Sequence, residues 1–344
     1  MMKNHTLAYI TRGRVWRQRR GYMVTGMLLA LACGLCCAML MLGNTIYPVS
    51  DVLRALLGEQ LKGVSFAVQT IRLPRMLAGI FAGFAFGMAG ATFQTMLRNP
   101  LANPNVIGIT SGSSAAAVFC IIILHASEAI VSVAAVLAGL ATVLVIYALA
   151  RGRTFSIGRL ILVGIGMQAM FNSAITYLFL IGKQHDLPAA MRWLTGSLNG
   201  SRMDELPQLM ITVLICAPII MMLSKHLSML ELGELAATSL GVRTNHVRVL
   251  LMISAVVMVA IATAATGPIA SVAFLAGPIA RRLVGAGFAS MIPAGLIGAN
   301  LVLAADLIGQ FAFEVRFPAG IITGIIGAPY LIYLLIRMSR RGDL

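Results

Sequence analysis

The chain has 344 residues, 59% hydrophobic and only 11% charged, with a mean hydropathy of +0.91. Soluble domains are about a quarter charged, so this composition excludes an ordinary water-soluble enzyme and a disordered tail. The net charge of +15 would suit a nucleic-acid binder, but six of the 26 basic residues (Lys3, Arg12, Arg14, Arg17, Arg19, Arg20) precede the first apolar block with no acid among them, which is the positive-inside pattern, and no nucleic-acid partner is expected.

Residues 1–21 therefore read as a basic cytoplasmic arm. The apolar block at 22–43 exceeds the 7–15 residues of a signal-peptide core and is expected to stay as an uncleaved first helix. An external segment, Asn44–Pro74, follows; Pro48–Leu57 has helical spacing of its apolar positions and is expected to lie on the membrane surface. Further spans are predicted near 75–95, 106–125, 129–150, 160–181, 208–224, 249–266, 268–283, 292–312 and 318–336, each close to the length that crosses a bilayer core. The ambiguous stretch is Val249–Ala280, 32 uncharged residues with Thr266-Gly267-Pro268 in the middle as a turn signal. Charge decides it: split in two, it puts 18 Lys/Arg on the cytoplasmic side against 8 outside, whereas one span would give 14 against 12. The expectation is an all-α polytopic membrane protein: one ten-helix domain over 22–336, a cytoplasmic loop at 225–248, a tail at 337–344, and both termini cytoplasmic.

Several residues stand out within this frame. Gly79, Gly83 and Gly87 repeat every four residues, followed by Gly90, so one helix face is bare backbone. That face serves either as packing glue or as the seam of a central helix; Gly320, Gly324 and Gly327 form a similar one. Arg72-Leu73-Pro74-Arg75 sits at an outward end, against the orientation bias. Its arginines either snorkel to headgroups or bind carboxylates of an external partner, and Arg316 is placed to join them. On the inside, Gly233 and Gly241 bracket a short helix whose Leu235, Ala236 and Leu240 share an apolar side in need of a bilayer surface or a partner. Asp306 falls within a span, where a carboxylate costs about 2.5–3.5 kcal/mol. It reads as a neutral or hydrogen-bonded structural acid, with a proton-coupled secondary transporter as the alternative.

Other chemistry is not signalled. The five cysteines (Cys33, Cys36, Cys37, Cys120, Cys216) lie in apolar spans and read as small hydrophobes, and Cys33-x-x-Cys36 lacks a βαβ setting for redox work. The histidines have no metal-ligand spacing, and no metal site is expected. No phosphate-binding G-x-x-x-x-G-K-[ST] occurs, and no cytoplasmic segment is long enough for a nucleotide-binding domain. Any ATPase is then another chain, and this one is not an enzyme.

Arg72-Leu-Pro-Arg75, Leu97-Arg-Asn-Pro-Leu-Ala-Asn-Pro104 with Ile107-Gly-Ile109, Trp193-Leu-Thr-Gly-Ser-Leu198, Gly233–Val242, Gly267-Pro-Ile269, Ile279-Ala-Arg-Arg-Leu-Val-Gly285, Ala304-Ala-Asp306 and Pro318-Ala-Gly-Ile-Ile-Thr323 follow in order along nearly the whole chain. Together they resemble the permease subunits of type II ABC importers for iron–siderophore complexes, haem and vitamin B12. The resemblance implies a pair of ten-helix permeases, identical or similar, around a central path in the bacterial inner membrane. It also implies two ABC ATPase subunits that use ATP and Mg on the cytoplasmic face, and a periplasmic binding protein docked outside. By the same likeness Arg72, Arg75 and Arg316 are docking residues, and Gly233, Glu234, Leu235, Ala236, Ala237, Leu240 and Gly241 form the ATPase-coupling helix. Asn99 and Leu101, with Ser156 and Gly158, belong to a cytoplasmic gate. A ferric siderophore is the expected cargo, with haem or vitamin B12 as alternatives, and the chain binds no cofactor itself. It departs from the family at Pro278-Ile279-Ala280-Arg281, which lacks the usual histidine.

Overall fold

Inside a bilayer each backbone polar group must be satisfied within its own segment, so long apolar blocks become helices. The structure, a computed structural model, describes residues 2–100, 102–104, 108–150, 157–231, 233–285 and 288–339, and among these every regular element is helical. In chain order the helices are α1 (Met2–Met41), α2 (Val49–Leu56), a π-helical segment (Phe66–Arg72), α3 (Leu73–Met96), α4 (Ile109–Ile122), α5 (Glu128–Ala150), α6 (Ile157–Ile181), α7 (Leu187–Thr195), α8 (Leu206–Glu231), α9 (Glu234–Ser239), α10 (Thr244–Thr266), α11 (Val272–Val284), α12 (Met291–Phe311) and α13 (Ala319–Ser339). All ten predicted spans have a helix at their position. Eight helices among the described residues are long and apolar enough to cross a membrane.

The remaining two are shorter than the sequence suggested. α4 has 14 residues and α11 has 13, about 20 Å each at 1.5 Å per residue, against a hydrocarbon core of about 30 Å. Gly267 to Ser271 is not helical, and both of those residues have positive φ (70° and 65°). α11 thus starts deep in the bundle: Ala273 abuts Gly90, about 22 Å along α3 from Arg75. At the other extreme, α1 begins at Met2, so the basic arm and the first span form one unbroken helix of 40 residues.

α3 is the axis of the molecule, with nearly all of its second half buried, and it packs on α8, α10, α11 and α12. The glycine face makes this possible. A Cβ on Gly83 would lie 2.6 Å from the Gly298 carbonyl oxygen, and one on Gly87 or Gly90 would collide with the backbone of Ala294 or Ala273. Gly79 meets side chains instead, Leu303 and Leu198. α3 and α12 run antiparallel with small residues on both sides, the close approach that such faces allow in lipid. The C-terminal face repeats this only in part, since Gly320 meets the Thr195 carbonyl and Gly327 meets Ser271 while Gly324 faces nearly open space.

α2 lies within the Pro48–Leu57 stretch whose spacing predicts a helix. Val52 and Ala55 turn inward while Val49, Leu53 and Leu56 stay exposed. The π-helical segment beyond it is not foreshadowed by any pattern in the sequence, and it leads directly into α3.

Candidate functional site

The two ends of the bundle are built differently. At one end, Arg72 closes the C-terminus of α1. Its Nη1 donates to the carbonyls of Leu40 and Met41 (2.8 Å each) and its Nη2 to Thr45 (2.7 Å), while the guanidinium lies 4.7 Å from the Tyr47 ring centroid. A helix leaves its last carbonyls unpaired and its C-terminus partly negative, so a cation is the fitting cap.

Arg75, one turn on, reaches across to α12. Its Nε and Nη2 donate to the two carboxylate oxygens of Asp306 at 2.8 Å each, and Nη1 donates to Asn199 Oδ1 at 3.3 Å. Asp306 is 1% exposed and Arg75 15%, and Gln310 Nε2 adds a third hydrogen bond to the carboxylate at 2.7 Å. Of the two structural readings of Asp306, the hydrogen-bonded acid is the one found here. The acid is one half of a bidentate ion pair, so the carboxylate that Arg75 binds belongs to its own chain.

Beside this pair a cavity of about 560 Å³ opens, lined by Arg75, Arg192, Trp193, Glu128, Glu205 and Arg316 among others. Its floor comes from two touching backbone turns. Ser197 N–H donates to the Thr266 carbonyl (2.8 Å), Gly320 N–H donates to the Gly196 carbonyl (3.1 Å), and Gly196 and Gly267, both at positive φ, lie against each other. A side chain on either glycine would force these turns apart. Arg316 is exposed and donates to Asn44 Oδ1. Arg192, at the end of α7, is exposed and its guanidinium has no partner among the described residues. Partial burial and the nearby carboxylates of Glu128 and Asp204 push the Glu205 carboxyl up from its ordinary value.

At the opposite end, α9 is a six-residue helix framed by Gly233 (φ 120°) and Gly241 (φ 82°). Ala237 is buried and Ala236 half-buried, but Leu235 is 87% exposed and Leu240 60%. Nearby, Arg281 of α11 donates to Thr95 Oγ1 (2.6 Å) and pairs with Glu231 of α8 (3.4 Å), and Gln94 Nε2 donates to the Phe274 carbonyl (2.9 Å). Asn99 follows Arg98, a residue at φ 50°, and its N–H donates to the Gln94 carbonyl at 3.0 Å. Gly158 is exposed in the first turn of α6. Leu101 and Ser156 lie outside the described residues. The structure therefore brings Asn99 to the end of α3 and does not test its pairing with the second gate segment.

Between the two ends, α6 is the least buried span, and Asn172, Ser173 and Thr176 stand exposed on it with Gln168 half-buried. Ser173 and Thr176 hydroxyls donate back to carbonyls four residues earlier, but the Asn172 amide stays open to the surroundings of a membrane helix. Polar groups at this depth face protein or water rather than lipid.

Arg192, Asn199, Glu205 and Gln310 were not singled out from the sequence. Only Gln310 carried a usable signal, lying four residues after Asp306 and so on the same helix face.

The model of the FecCD transport family matches residues 28–337. The achromobactin transport system permease protein CbrC of Dickeya dadantii is 36% identical over 94% of this chain and 96% of its own length. The ferric enterobactin transport system permease protein FepG of Escherichia coli is 35% identical, over 94% of this chain and 98% of its own. The Fe(3+)-citrate import system permease protein YfmE of Bacillus subtilis is 38% identical over 80% of this chain and 84% of its own. Among solved structures, an inward-facing chain assigned to the metal-chelate type of ABC transporter superposes with a TM-score of 0.80 and 28% identity, over 92% of this chain and 99% of that one. A chain of PsaBC from Streptococcus pneumoniae shares the fold at 17% identity and a TM-score of 0.56, over 83% of this chain and 95% of its own.

Proposed function

The chain belongs to the FecCD transport family, and from that premise we propose that it is the inner-membrane permease subunit of an ATP-driven importer carrying an iron–siderophore chelate into the cytoplasm. The observation that carries the reading is the near full-length likeness to achromobactin and ferric enterobactin permeases, with every span accounted for. The polar face of α6 supports a second permease, identical or similar, packed around a shared path. The exposed Leu235 and Leu240 support α9 as the element seated in one of two ATPase subunits, which bind the ATP and Mg. The bias of 18 Lys/Arg against 8 supports cytoplasmic termini.

Docking of a periplasmic binding protein belongs at the Arg72 end. Arg316 and Arg192 offer the accessible guanidiniums there. Arg72 and Arg75 already hold intrachain oxygens, so a partner carboxylate at either one exchanges with an existing bond instead of adding one. Asn99 and Leu101, with Ser156 and Gly158, remain the proposed cytoplasmic gate. Alternating access then follows when nucleotide draws the ATPases together and α9 passes that motion to the gate.

Growth of a deletion strain on a panel of ferric chelates tests the cargo: loss of growth on siderophores alone is expected, and loss on haem or vitamin B12 instead would reassign it. Uptake that persists in an uncoupler but stops without the ATPase is expected. The reverse pattern would restore the secondary-transporter reading, which the ion-paired state of Asp306 disfavours.

A further inference from the structure

A second cavity, of about 330 Å³, lies at the α9 end between the last turns of α8 and the first turns of α10. Leu223 and His226 line it from α8; Arg243, His246, Val247 and Leu250 line it from the other side, and Gly241 and Val242 close its end. Counting 1.5 Å per residue from the helix ends, Leu223 and Leu250 lie about 9–12 Å inside the bundle, His226 about 8 Å and His246 about 3 Å, with Arg243 at the rim. Val242 and Val247 apart, the lining changes in that order from aliphatic to imidazole to guanidinium.

The outer wall continues the gradient. Leu250 and Ile253 on α10, with Met222 on α8, form an exposed apolar strip running toward the bilayer centre. His226, Arg243 and His246 are all exposed, and no carboxylate lines the cavity among the described residues. Glu231, the nearest acid on α8, is paired with Arg281.

We infer that this cavity holds the headgroup of an anionic phospholipid, with its acyl chains along the Leu250–Ile253 strip. Basic pockets between spans at a membrane boundary attract lipid phosphate, and here the aliphatic floor sits on the hydrocarbon side of the cations, as a lipid requires and a free anion does not. A guanidinium and two imidazole N–H groups supply donors for phosphate oxygens even with both histidines neutral. The site adjoins α9, so an occupied headgroup steadies the turn at Gly241 and Val242 on which α9 ends.

The test uses the full chain, purified with its partner subunits and placed in nanodiscs of zwitterionic lipid with a minor fraction of cardiolipin. Native mass spectrometry then counts the cardiolipin retained. Arg243→Ala with His246→Ala is expected to lower retention about tenfold, and Arg243→Gln alone about fivefold. Arg202→Ala, at the other end, is expected to retain as much as wild type. Should the double variant fail to assemble, Arg243→Gln, an exposed single change, gives the same reading. Equal retention by the variants would overturn the inference. So would displacement of cardiolipin by millimolar inorganic phosphate, which would make this a free-anion site, or efficient crosslinking of position 246 to an ATPase subunit, which would make it a protein contact.

Discussion

The Arg72–Arg75 end and the α9 end answer the same problem, where helices leave the membrane, in opposite ways. At the first, two arginines turn inward onto the chain's own oxygens, Arg72 onto the last carbonyls of α1 and Arg75 onto Asp306, while Arg192 and Arg316 stay exposed. At the second, a short helix leaves two leucines in the open. The lesson is that one end carries the deepest intrachain bracing, whereas the other exposes the apolar side of a short helix. Stability and coupling should therefore separate when each end is mutated.

The largest effect on stability is expected at the braced end. Asp306→Ala leaves the Arg75 guanidinium buried without its anion, a loss of about 3–5 kcal/mol, read as a collapse in yield and melting temperature in detergent. Arg75→Met with Asp306→Leu should recover most of it, because an apolar pair of similar volume needs no charge balance. If the double variant is no better than the single, the pair does more than brace. Next comes the seam: Gly87→Val drives a side chain into the Ala294 carbonyl and is expected to cost at least about 1–3 kcal/mol in the same melt. The open end should behave in the contrary way. Leu235→Ser with Leu240→Ser changes stability by less than about 0.5 kcal/mol, yet is expected to lower ATP-driven chelate uptake by roughly tenfold. A large drop in melting temperature there would erase the contrast between the ends.

The smallest effect concerns pH. Burial and neighbouring carboxylates raise the Glu205 carboxyl above its ordinary value in the folded chain. The folded state then holds that proton more tightly than the unfolded state, so stability from this group is greatest at low pH and declines as pH rises through the raised value. Glu205→Gln should melt slightly higher than wild type at neutral pH and equally at pH about 4; a lower neutral melt would mean that the charged form is the favoured one.

Much of this was legible beforehand. The positions of all ten spans followed from apolar block length, the division at Thr266–Pro268 from a turn signal and charge balance, and the close approach of α3 from its four-residue glycine spacing. What escaped was either long-range or compensated. Nothing local tells Arg75 that its partner is 231 residues away, so each half of the pair was read alone. The shortness of α11 was hidden because Pro268–Ser271 is as apolar as the helix it precedes, while the π-helical entry to α3 carries no compositional mark. Arg192 carries no local signal of its place beside Arg75 and Arg316 at one cavity.

The Arg75–Asp306 pair also bears on how the polypeptide is made. Ribosomes deliver α3 long before α12, so Arg75 waits at the edge of the translocon without its anion while most of the protein is synthesised. The carboxylate, about 8 Å from the end of α12, makes the lateral release of that helix less favourable until the finished hairpins bring the two together. A chain that stops before α12 therefore leaves that guanidinium without its two carboxylate bonds.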